Sequence, residues 1–451
     1  MGEISRALKV FFMPHMAQGH MIPLCQFARL FAARDHHHHP LRFPSDEVGL
    51  PVGIENFFNV TDAATAWRLN QAVGLLRNQL EPFIEQNPPD CIVSDFMYPW
   101  TAAIATRLGI PRIVFNTFCL FVVCMINACK GQLQSKPELL SHEHDDDSSC
   151  PFVVSGLPDP ITLTNRPPKW VFEMLETLIE TDQKNSYGLT VNNFNDLDGQ
   201  DYIDYYKKST DLKVWHIGPA SLMLRNILPK EDLHPQTKKG HEHIRTWLDS
   251  KESNSVVYVS FGMHRESKQN NKCGEEEEKK TWLPKGFEER LKKENRGLIL
   301  MKWAPQELIL NHPATGGFLT HCGWTSVTEA VSAGVPMMTW PVFIEQPCNE
   351  KLITQVHGFG VEVGAEEWKP SPYERMEKLV SRVKIEKAVR RLKAGGDEAE
   401  RVREKAREMR EKTRKAVGED GSSQRNLTAL IEDLKLIAMN RAASKRQTRI
   451  Y

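Results

Sequence analysis

The sequence predicts an α/β protein built from two doubly wound parallel-sheet domains. The chain has 451 residues, more than one hydrophobic core usually supports, so two domains of roughly 200 residues each are expected. Short, nearly continuous apolar segments alternate with helical segments, as buried parallel strands alternate with their covering helices. The alternation starts twice, with LKVFFM at residues 8–13 and with SVVYVSFG at residues 255–262. Each start is typical of a doubly wound sheet.

The N-terminal half opens with a strand, a loop and a helix. The loop covers residues 14–20, and the helix is expected to begin near Ile22 and to run to Ala33. We expect the later strands of this half at residues 90–94, 112–115 and 189–194, with a helix at 100–108. Parallel strands end at one edge of a sheet, and that edge is where such a fold carries its functional side chains.

The C-terminal half follows a segment of mixed Pro, Lys, Gly and Asp that indicates an interdomain linker. We expect strands at residues 255–262, 297–301, 315–320 and 335–340, then a charged helical stretch at 384–417, a last helix at 427–437 and a frayed basic tail from residue 440. The predicted boundaries are 1–218 for the N-terminal domain, 219–245 for the linker, 246–425 for the C-terminal domain, and 426–451 for a C-terminal helix and tail that pack back on the N-terminal domain.

Two segments interrupt this alternation. Residues 35–40 read DHHHHP where the second strand of the first domain is due, and residues 263–280 contain almost no apolar side chain. Neither segment offers an apolar face that could be buried against a sheet. We therefore expect each domain to lack one strand–helix unit, which leaves unpaired backbone groups at a sheet edge.

The bulk composition argues against several classes of partner. Lys plus Arg and Asp plus Glu both number 58, so the chain has no net charge and gives no reason to expect nucleic acid or an anionic membrane. The nine cysteines include no CxxC pair, which favours reduced thiols. No signal peptide and no run of 18 apolar residues is evident, so we expect a monomeric cytoplasmic protein without stable membrane insertion.

The residues that carry the chemistry lie at 303–346, WAPQELILNHPATGGFLTHCGWTSVTEAVSAGVPMMTWPVFIEQ. In WAPQ, HP, HCGW, GVP and the final EQ, this segment resembles the signature segment of the plant secondary-product glycosyltransferases, the family 1 UDP-glycosyltransferases. PHMAQGHMIP, WLPKGFEER, CNEKLIT and GSSQRNL also resemble that family, so the resemblance covers nearly the whole chain apart from the two interrupted segments. It implies a GT-B fold, in which two Rossmann-like domains face a cleft.

The resemblance implies a site for the nucleoside of a UDP-sugar, which would be a co-substrate rather than a cofactor. Trp303 offers a flat face on which uracil can stack, followed by Ala304, and Gln306 would lie near the ribose. Glu329 would accept hydrogen bonds from the ribose hydroxyls, which suits an ionised carboxylate.

The diphosphate would bind where HCGWTS meets the following helix. A helix N-terminus presents free N–H groups and partial positive charge. By resemblance, His321 hydrogen-bonds the α-phosphate, and Thr325 and Ser326 occupy the β-phosphate positions. Gly323 permits close backbone approach beside Trp324. No metal ion is then needed, because backbone dipoles and side chains can stabilise the leaving diphosphate.

The hexose would contact Glu345 and Gln346, and a final Gln in this family implies glucose. Thr117, after the third strand, is a further candidate for contact with the sugar. Two tracts could suggest a metal site, the DxD at residues 145–147 and the histidines at 36–39. We interpret the first as part of a polar loop and the second as an inert low-complexity insertion, although a His tract can bind a transition metal.

The catalytic pair implied by the resemblance is His20 and Asp95. His20 lies in the loop after the first strand, and Asp95 ends the next strand, so both are expected at the same sheet edge. His20 would take a proton from the acceptor hydroxyl, and Asp95 would orient the ring and stabilise the imidazolium. Taken alone, His20 is interpreted as an ordinary loop histidine, and the less favoured alternative for Asp95 is a cap of the following helix.

The predicted function is transfer of glucose from UDP to a hydroxyl of a small lipophilic metabolite, with inversion to a β-glycoside. The resemblance suggests triterpenoids, flavonoids, coumarins or hormones as acceptors. The alternative is a catalytically impaired sugar-nucleotide-binding homologue, because Thr325 stands where the family has Asn, Met263 stands where it has Ser, and two units are missing. A nicotinamide-dependent oxidoreductase is disfavoured, since no GxGxxG follows the first strand.

Overall fold

The computed structural model describes most of the chain, and Trp303, Met263, the histidine tract 36–39 and the DxD at 145–147 lie outside the described residues. The described residues are 7–32, 42–57, 60, 62–135, 151–164, 171, 173, 185–227, 241–262, 283–300, 304–369, 378–393 and 395–448. Among the helices they include, none is both long enough and apolar enough to cross a membrane.

The N-terminal half contains a five-stranded parallel sheet in the order β1-β2-β3-β6-β7. A separate antiparallel pair is formed by β4 and β5. Strands β2 and β3 are buried at every residue, which explains their continuous apolar sequences. The elements are β1 (Val10–Met13), α1 (Gln18–Phe31), α2 (Ala63–Gln86), β2 (Cys91–Asp95), α3 (Trp100–Leu108), β3 (Arg112–Asn116), α4 (Leu120–Ser135), β4 (Phe152–Val154), β5 (Ile161–Leu163), β6 (Gly188–Val191), α5 (Asn195–Asp198), α6 (Gln200–Ser209), β7 (Lys213–His216) and α7 (Ala220–Ile227).

The C-terminal half contains a four-stranded parallel sheet in the order β11-β10-β9-β8. Strand β9 lies inside this sheet, is buried at every residue, and leads into the helix that follows HCG. The elements are α8 (Glu242–Asp249), β8 (Val256–Ser260), α9 (Phe287–Lys293), α10 (Gln306–Leu310), β9 (Thr315–Thr320), α11 (Trp324–Ala333), β10 (Met337–Thr339), α12 (Gln346–Lys351), β11 (Gly360–Glu362), α13 (Arg382–Lys393), α14 (Asp397–Val417) and α15 (Ser422–Thr448).

The two halves share one apolar core. A single cluster of buried side chains runs from α4 and α6 into α11 and α12, with Phe121, Tyr202 and Val327 among its members. The last helix, α15, packs back on the N-terminal sheet as expected. Asp433 of α15 lies 2.7 Å from the ammonium of Lys213 in β7, and the amide of Asn426 donates to the carbonyl of His216 at 3.0 Å.

The structure corrects several predicted boundaries. Helix α1 begins at Gln18, so His20 lies in its first turn and not in the preceding loop. Residues of the predicted linker form α7, because Met223 and Leu224 are buried against the N-terminal core. The charged stretch 384–417 is two helices that are broken near Gly396. The basic tail does not fray at residue 440, since α15 continues to Thr448.

The predicted strand 297–301 is wrong where the structure describes it, because residues 297–300 are irregular chain. A strand needs a hydrogen-bonded neighbour, and in the described part of the chain β8 pairs on one side only, with β9. Val259 and Phe261 at this edge are 53% and 36% exposed. Strand β1 is likewise an edge strand of the described N-terminal sheet. Both edges fit the expectation that each domain lacks one strand–helix unit.

The close approach of β9 to the turn before β8 makes a stability prediction. A methyl group on Gly316 would lie 2.3 Å from the backbone oxygen of Asn254, whereas one on Gly317 would meet nothing closer than Met338 Cε at 3.5 Å. A backbone atom cannot move away from the added methyl group at low energetic cost, so Gly316→Ala should lower the free energy of unfolding by about 1–3 kcal/mol. Gly317→Ala, in the same strand, is the matched control and should change it by less than about 0.5 kcal/mol. Thermal unfolding of both variants measures the difference, and equal melting temperatures would contradict the predicted clash.

Candidate active site

His20 and Asp95 form a hydrogen-bonded pair at the carboxyl edge of the N-terminal sheet. Nδ1 of His20 lies 2.9 Å from Oδ2 of Asp95. The other carboxylate oxygen accepts a hydrogen bond from the backbone N–H of Met97 at 3.0 Å. Asp95 is fully buried, whereas 21% of the His20 side chain remains exposed. The pair therefore combines a fixed, desolvated carboxylate with an imidazole that small molecules can still reach.

The environment of His20 favours protonation of its ring. Burial lowers the pKa of His20, but the charge of Asp95, its hydrogen bond and the charge of Glu345 outweigh burial and raise the pKa above the ordinary value of 6.5. Because Nδ1 faces the carboxylate, Nε2 carries the lone pair of the neutral ring. This arrangement suits a group that accepts a proton and then holds it as imidazolium.

Aromatic side chains surround this pair. The ring of Phe96 lies 5.5 Å from that of His20, and Phe118 lies 5.0 Å from Phe96. Thr117 is 8% exposed, and its hydroxyl has no hydrogen-bond partner among the described residues. The described hydrogen bonds do not link Thr117 to Glu345 or to Gln346. The wall next to the imidazole is thus largely apolar.

Sequence reasoning missed His15, which lies beside the pair. Its ring centroid is 5.2 Å from that of His20 and 6.1 Å from that of Tyr98. Burial, together with the nearby His20, lowers the pKa of His15 to about 4, and Asp95 opposes this shift. The available signal was the first histidine of PHMAQGH, five residues before His20.

The turn after β9 holds His321 against two glycines. Cβ atoms built on Gly262 and Gly323 would lie 2.9 and 2.4 Å from atoms of the His321 ring, so larger residues would displace it. Gly262 also has a φ of +71°, a left-handed conformation that favours glycine. Cys322, with a φ of +67°, is held by the Asn349 side-chain amide, which donates to its carbonyl at 2.9 Å.

The first turn of α11 follows directly, with Thr325 and Ser326 half-buried on it. Gly323 is its N-cap and supplies no side-chain cap, so the first N–H groups of the helix lack intrahelical partners. Trp324 is 4% exposed, and its indole N–H donates to the carbonyl of Asn192 in the N-terminal half at 3.1 Å. The described contacts of Trp324 thus join the two halves.

A polar network connects α10 to α11 and β8. The amide nitrogen of Gln306 donates to Ser326 Oγ at 3.1 Å and to Glu329 Oε2 at 2.7 Å. The hydroxyl of Tyr258 lies 3.4 Å from the amide oxygen of Gln306. The backbone carbonyl of Ala304 accepts from the N–H of Gln306 at 2.8 Å. Four of the residues predicted to bind the nucleotide, Ala304, Gln306, Ser326 and Glu329, are therefore in direct contact.

Glu329 binds its proton more tightly than an ordinary carboxyl group does. Burial and the charge of Glu307 raise the pKa of Glu329 to about 7, against the opposing effects of the Gln306 hydrogen bond and of Arg225. A carboxyl with such a pKa is ready to exchange its proton near neutral pH.

Glu345 and Gln346 begin α12 on the cleft side of the C-terminal half. The amide oxygen of Gln346, which is 3% exposed, accepts from the backbone N–H groups of Val342 and Phe343 at 3.0 and 3.2 Å. Burial raises the pKa of Glu345 to about 7, while a backbone hydrogen bond and the charge of His20 oppose the shift. The charges of Glu345 and His20 affect each other's pKa, so these two side chains lie near each other.

Two parallel-sheet domains, with a histidine–aspartate pair on one and a glycine-lined helix terminus on the other, define a GT-B glycosyltransferase. The family model described as UDP-glucoronosyl and UDP-glucosyl transferase matches residues 55–369. The chain belongs to this family of UDP-glycosyltransferases and resembles its plant members.

Similar proteins include UDP-glucosyl transferase 73CC6 of Saponaria officinalis, 42% identical over 488 residues and covering 95% of this chain and 97% of the relative. Scopoletin glucosyltransferase of Nicotiana tabacum is 37% identical, covering 95% and 98%. The crystal structure of Glycyrrhiza uralensis UGT73P12 complexed with glycyrrhetinic acid 3-O-monoglucuronide has a TM-score of 0.83, 30% identity and 99% coverage of both chains. The Medicago truncatula UGT71G1 complex with UDP-glucose shares the fold, with a TM-score of 0.69, 23% identity, and coverage of 96% and 100%.

The raised pKa of Glu345 predicts a pH-dependent effect on stability. The folded chain binds this proton more tightly than the unfolded chain does. Ionisation of the carboxyl therefore lowers the free energy of unfolding progressively as the pH rises from 4.5 to about 7, and the whole loss is present above that range. Glu345→Gln removes the ionisation and should raise the melting temperature by a few degrees at pH 8.5, with little effect at pH 4.5. The exposed Glu252→Gln is the control, expected to be neutral at both pH values. If the melting temperature of Glu345→Gln differed from that of wild type by the same amount at pH 4.5 and at pH 8.5, the raised pKa of Glu345 would be contradicted.

Proposed function

We propose that this protein transfers glucose from UDP-glucose to a hydroxyl of a small lipophilic plant metabolite and inverts the anomeric configuration to a β-glycoside. The observation that carries the proposal is the 2.9 Å contact between His20 and the buried Asp95. An acceptor that reaches His20 would meet a hexose held at the start of α12.

In the proposed reaction, Nε2 of His20 takes the proton of the acceptor hydroxyl as its oxygen attacks the anomeric carbon of UDP-α-glucose. The new carbon–oxygen bond forms on the face opposite the diphosphate. The bond between the anomeric carbon and the diphosphate oxygen breaks, and its electron pair leaves with UDP. Asp95 stabilises the imidazolium that results, because its buried carboxylate lies 2.9 Å from Nδ1.

The donor would bind as the sequence predicts. The free N–H groups at the start of α11, with Thr325 and Ser326, would hold the diphosphate, and His321 would donate to it. The Gln306–Glu329 pair lies next to Ser326, where the ribose hydroxyls would follow the phosphates. Charge on the leaving group is then stabilised by preorganised dipoles, so we propose that no metal ion is required and that chelators leave the rate unchanged.

Relatives support the acceptor class. One is named for scopoletin, a coumarin, and another is a flavonoid 3-O-glucosyltransferase of Fragaria ananassa. The crystal structure of UGT73P12 described above was solved with glycyrrhetinic acid 3-O-monoglucuronide, a triterpenoid glucuronide. The ring of Phe96 lies 5.5 Å from that of His20, so an apolar acceptor that reaches His20 would come close to an aromatic side chain.

A catalytically impaired sugar-nucleotide-binding homologue is the second candidate. It is favoured by the irregular chain at 297–300 and by the edge of β8 that has no partner strand among the described residues. The alignment with the Saponaria officinalis relative spans 488 positions, whereas this chain has 451 residues, of which 95% are aligned. The relative therefore carries segments that this chain lacks. The two candidates differ in turnover, not in nucleotide binding.

The decisive experiment supplies UDP-glucose with coumarin, flavonoid and triterpenoid acceptors and detects the product by mass and by the NMR coupling of its anomeric proton. His20→Ala should reduce kcat/KM by about 100-fold or more, because it removes the general base. His243→Ala, on the exposed surface of α8, is the control and should retain full activity. UDP affinity of both variants, measured by calorimetry, should match that of wild type. An active His20→Ala variant or an α-linked product would refute the mechanism, whereas UDP binding without turnover would favour the impaired homologue.

The pH profile tests the role of Asp95. The neutral form of His20 is the active one, so the rate should fall as the pH drops through a value above 6.5. Asp95→Asn removes the charge that raises the pKa of His20, and the acid limb should therefore move to lower pH while kcat falls. An acid limb that stays in place in Asp95→Asn would show that another group controls it.

A further inference from the structure

His15 is a buried polar side chain that the proposed reaction does not use. It is 5% exposed and packs between His20 and Phe57, with ring centroids 5.2 and 5.4 Å away. The backbone fixes this position, because the N–H of Phe57 donates to the carbonyl of Met16, next to His15, at 2.9 Å. The imidazole thus forms part of the surface that surrounds the catalytic pair.

The Nδ1 atom of His15 has no hydrogen-bond partner among the described residues. The neighbouring polar groups are committed elsewhere, since the hydroxyl of Tyr98 donates to the carbonyl of Pro14 at 3.1 Å and Nδ1 of His20 faces Asp95. Leaving a buried polar atom unsatisfied costs free energy, and such an atom in a folded protein calls for an explanation. A group that arrives with the substrate would satisfy it.

We propose that His15 determines acceptor specificity by hydrogen-bonding a second polar group of the acceptor, adjacent to the hydroxyl that His20 deprotonates. This inference rests on the proposed glycosyltransferase function and names a class of acceptor for it. The 5.2 Å between the two rings requires the second group to lie close to the reacting hydroxyl, as in an ortho-dihydroxy aromatic compound.

The protonation state of His15 restricts what it can recognise. Its pKa of about 4 keeps the ring neutral at physiological pH. A neutral imidazole has one donor and one acceptor nitrogen and so pairs with a hydroxyl or a carbonyl, while it offers no positive charge to a carboxylate. The preferred acceptor should therefore be an uncharged vicinal diol or hydroxy-carbonyl compound.

A matched pair of fluorescent probes tests this inference: 6,7-dihydroxycoumarin and 7-hydroxycoumarin, which differ by one hydroxyl. The wild-type protein should prefer the dihydroxy probe by about fivefold to tenfold in kcat/KM, the effect of one neutral hydrogen bond. His15→Phe keeps an aromatic ring against Phe57 and Tyr98 but removes both nitrogens. It should abolish the preference by slowing only the dihydroxy probe, and His15→Asn, which restores a polar side chain, should recover part of it.

Binding of both probes in the presence of UDP, followed by fluorescence, separates this inference from the proposed function. A binding preference that His15→Phe removes supports the role of His15 even where no glucose is transferred, in which case only the proposed function fails. A wild-type protein without a binding preference overturns the inference, whether or not it transfers glucose. Equal losses for both probes in His15→Phe also overturn it, because they would show that His15 only supports His20.

Discussion

The chemistry of this cleft depends on one desolvated ion, the carboxylate of Asp95. It ends an interior strand of the N-terminal sheet, is fully buried, and faces a single imidazole at 2.9 Å. A buried charge is costly unless it is paired, so the fold around β2 favours a state in which His20 stays close and can become positive. Burial and, second to it, the charge of the neighbouring His20 lower the pKa of His15, while Asp95 opposes both effects.

The second requirement is that the two halves keep a fixed distance, and buried polar contacts provide this. The indole N–H of Trp324 donates to the carbonyl of Asn192 across the domain boundary. Asn349 is fully buried, and its side-chain amide donates to the carbonyl of Cys322 while its oxygen lies 3.7 Å from the thiol of Cys119 in the other half. One asparagine thus ties the turn beside His321 to the N-terminal domain. Because these contacts lie within a shared apolar core, the position of the helix terminus relative to His20 is set by packing.

Much of this arrangement could be predicted from the sequence, since it depends on local signals. The apolar strands of the two sheets, the turn at Gly323 and the pairing of His20 with Asp95 follow from strand patterns, from motif spacing and from the family resemblance. The sequence could not predict that the polar side-chain atoms of Trp324 and Gln346 would form hydrogen bonds with backbone groups. Those partners are brought near only by tertiary packing. His15 was missed because its place in PHMAQGH does not reveal that its ring packs beside that of His20. That its Nδ1 has no hydrogen-bond partner among the described residues is visible only in three dimensions.

The site lies on interior strands of both sheets, away from the edges at which strands are expected to be missing. Asp95 belongs to β2, which is flanked by β1 and β3, and the turn at His321 follows β9, which is flanked by β8 and β10. In the described part of the chain, β1 and β8 are the outer strands, so β2 and β9 keep both neighbours. The loss of a strand beyond β8 would account for the exposure of Val259 and for the irregular chain at residues 297–300. Such a loss lowers stability and favours association through the edge, but it moves neither the imidazole nor the helix terminus. Reduced activity in this chain would therefore arise first from a smaller folded fraction, and only second from a weakened site.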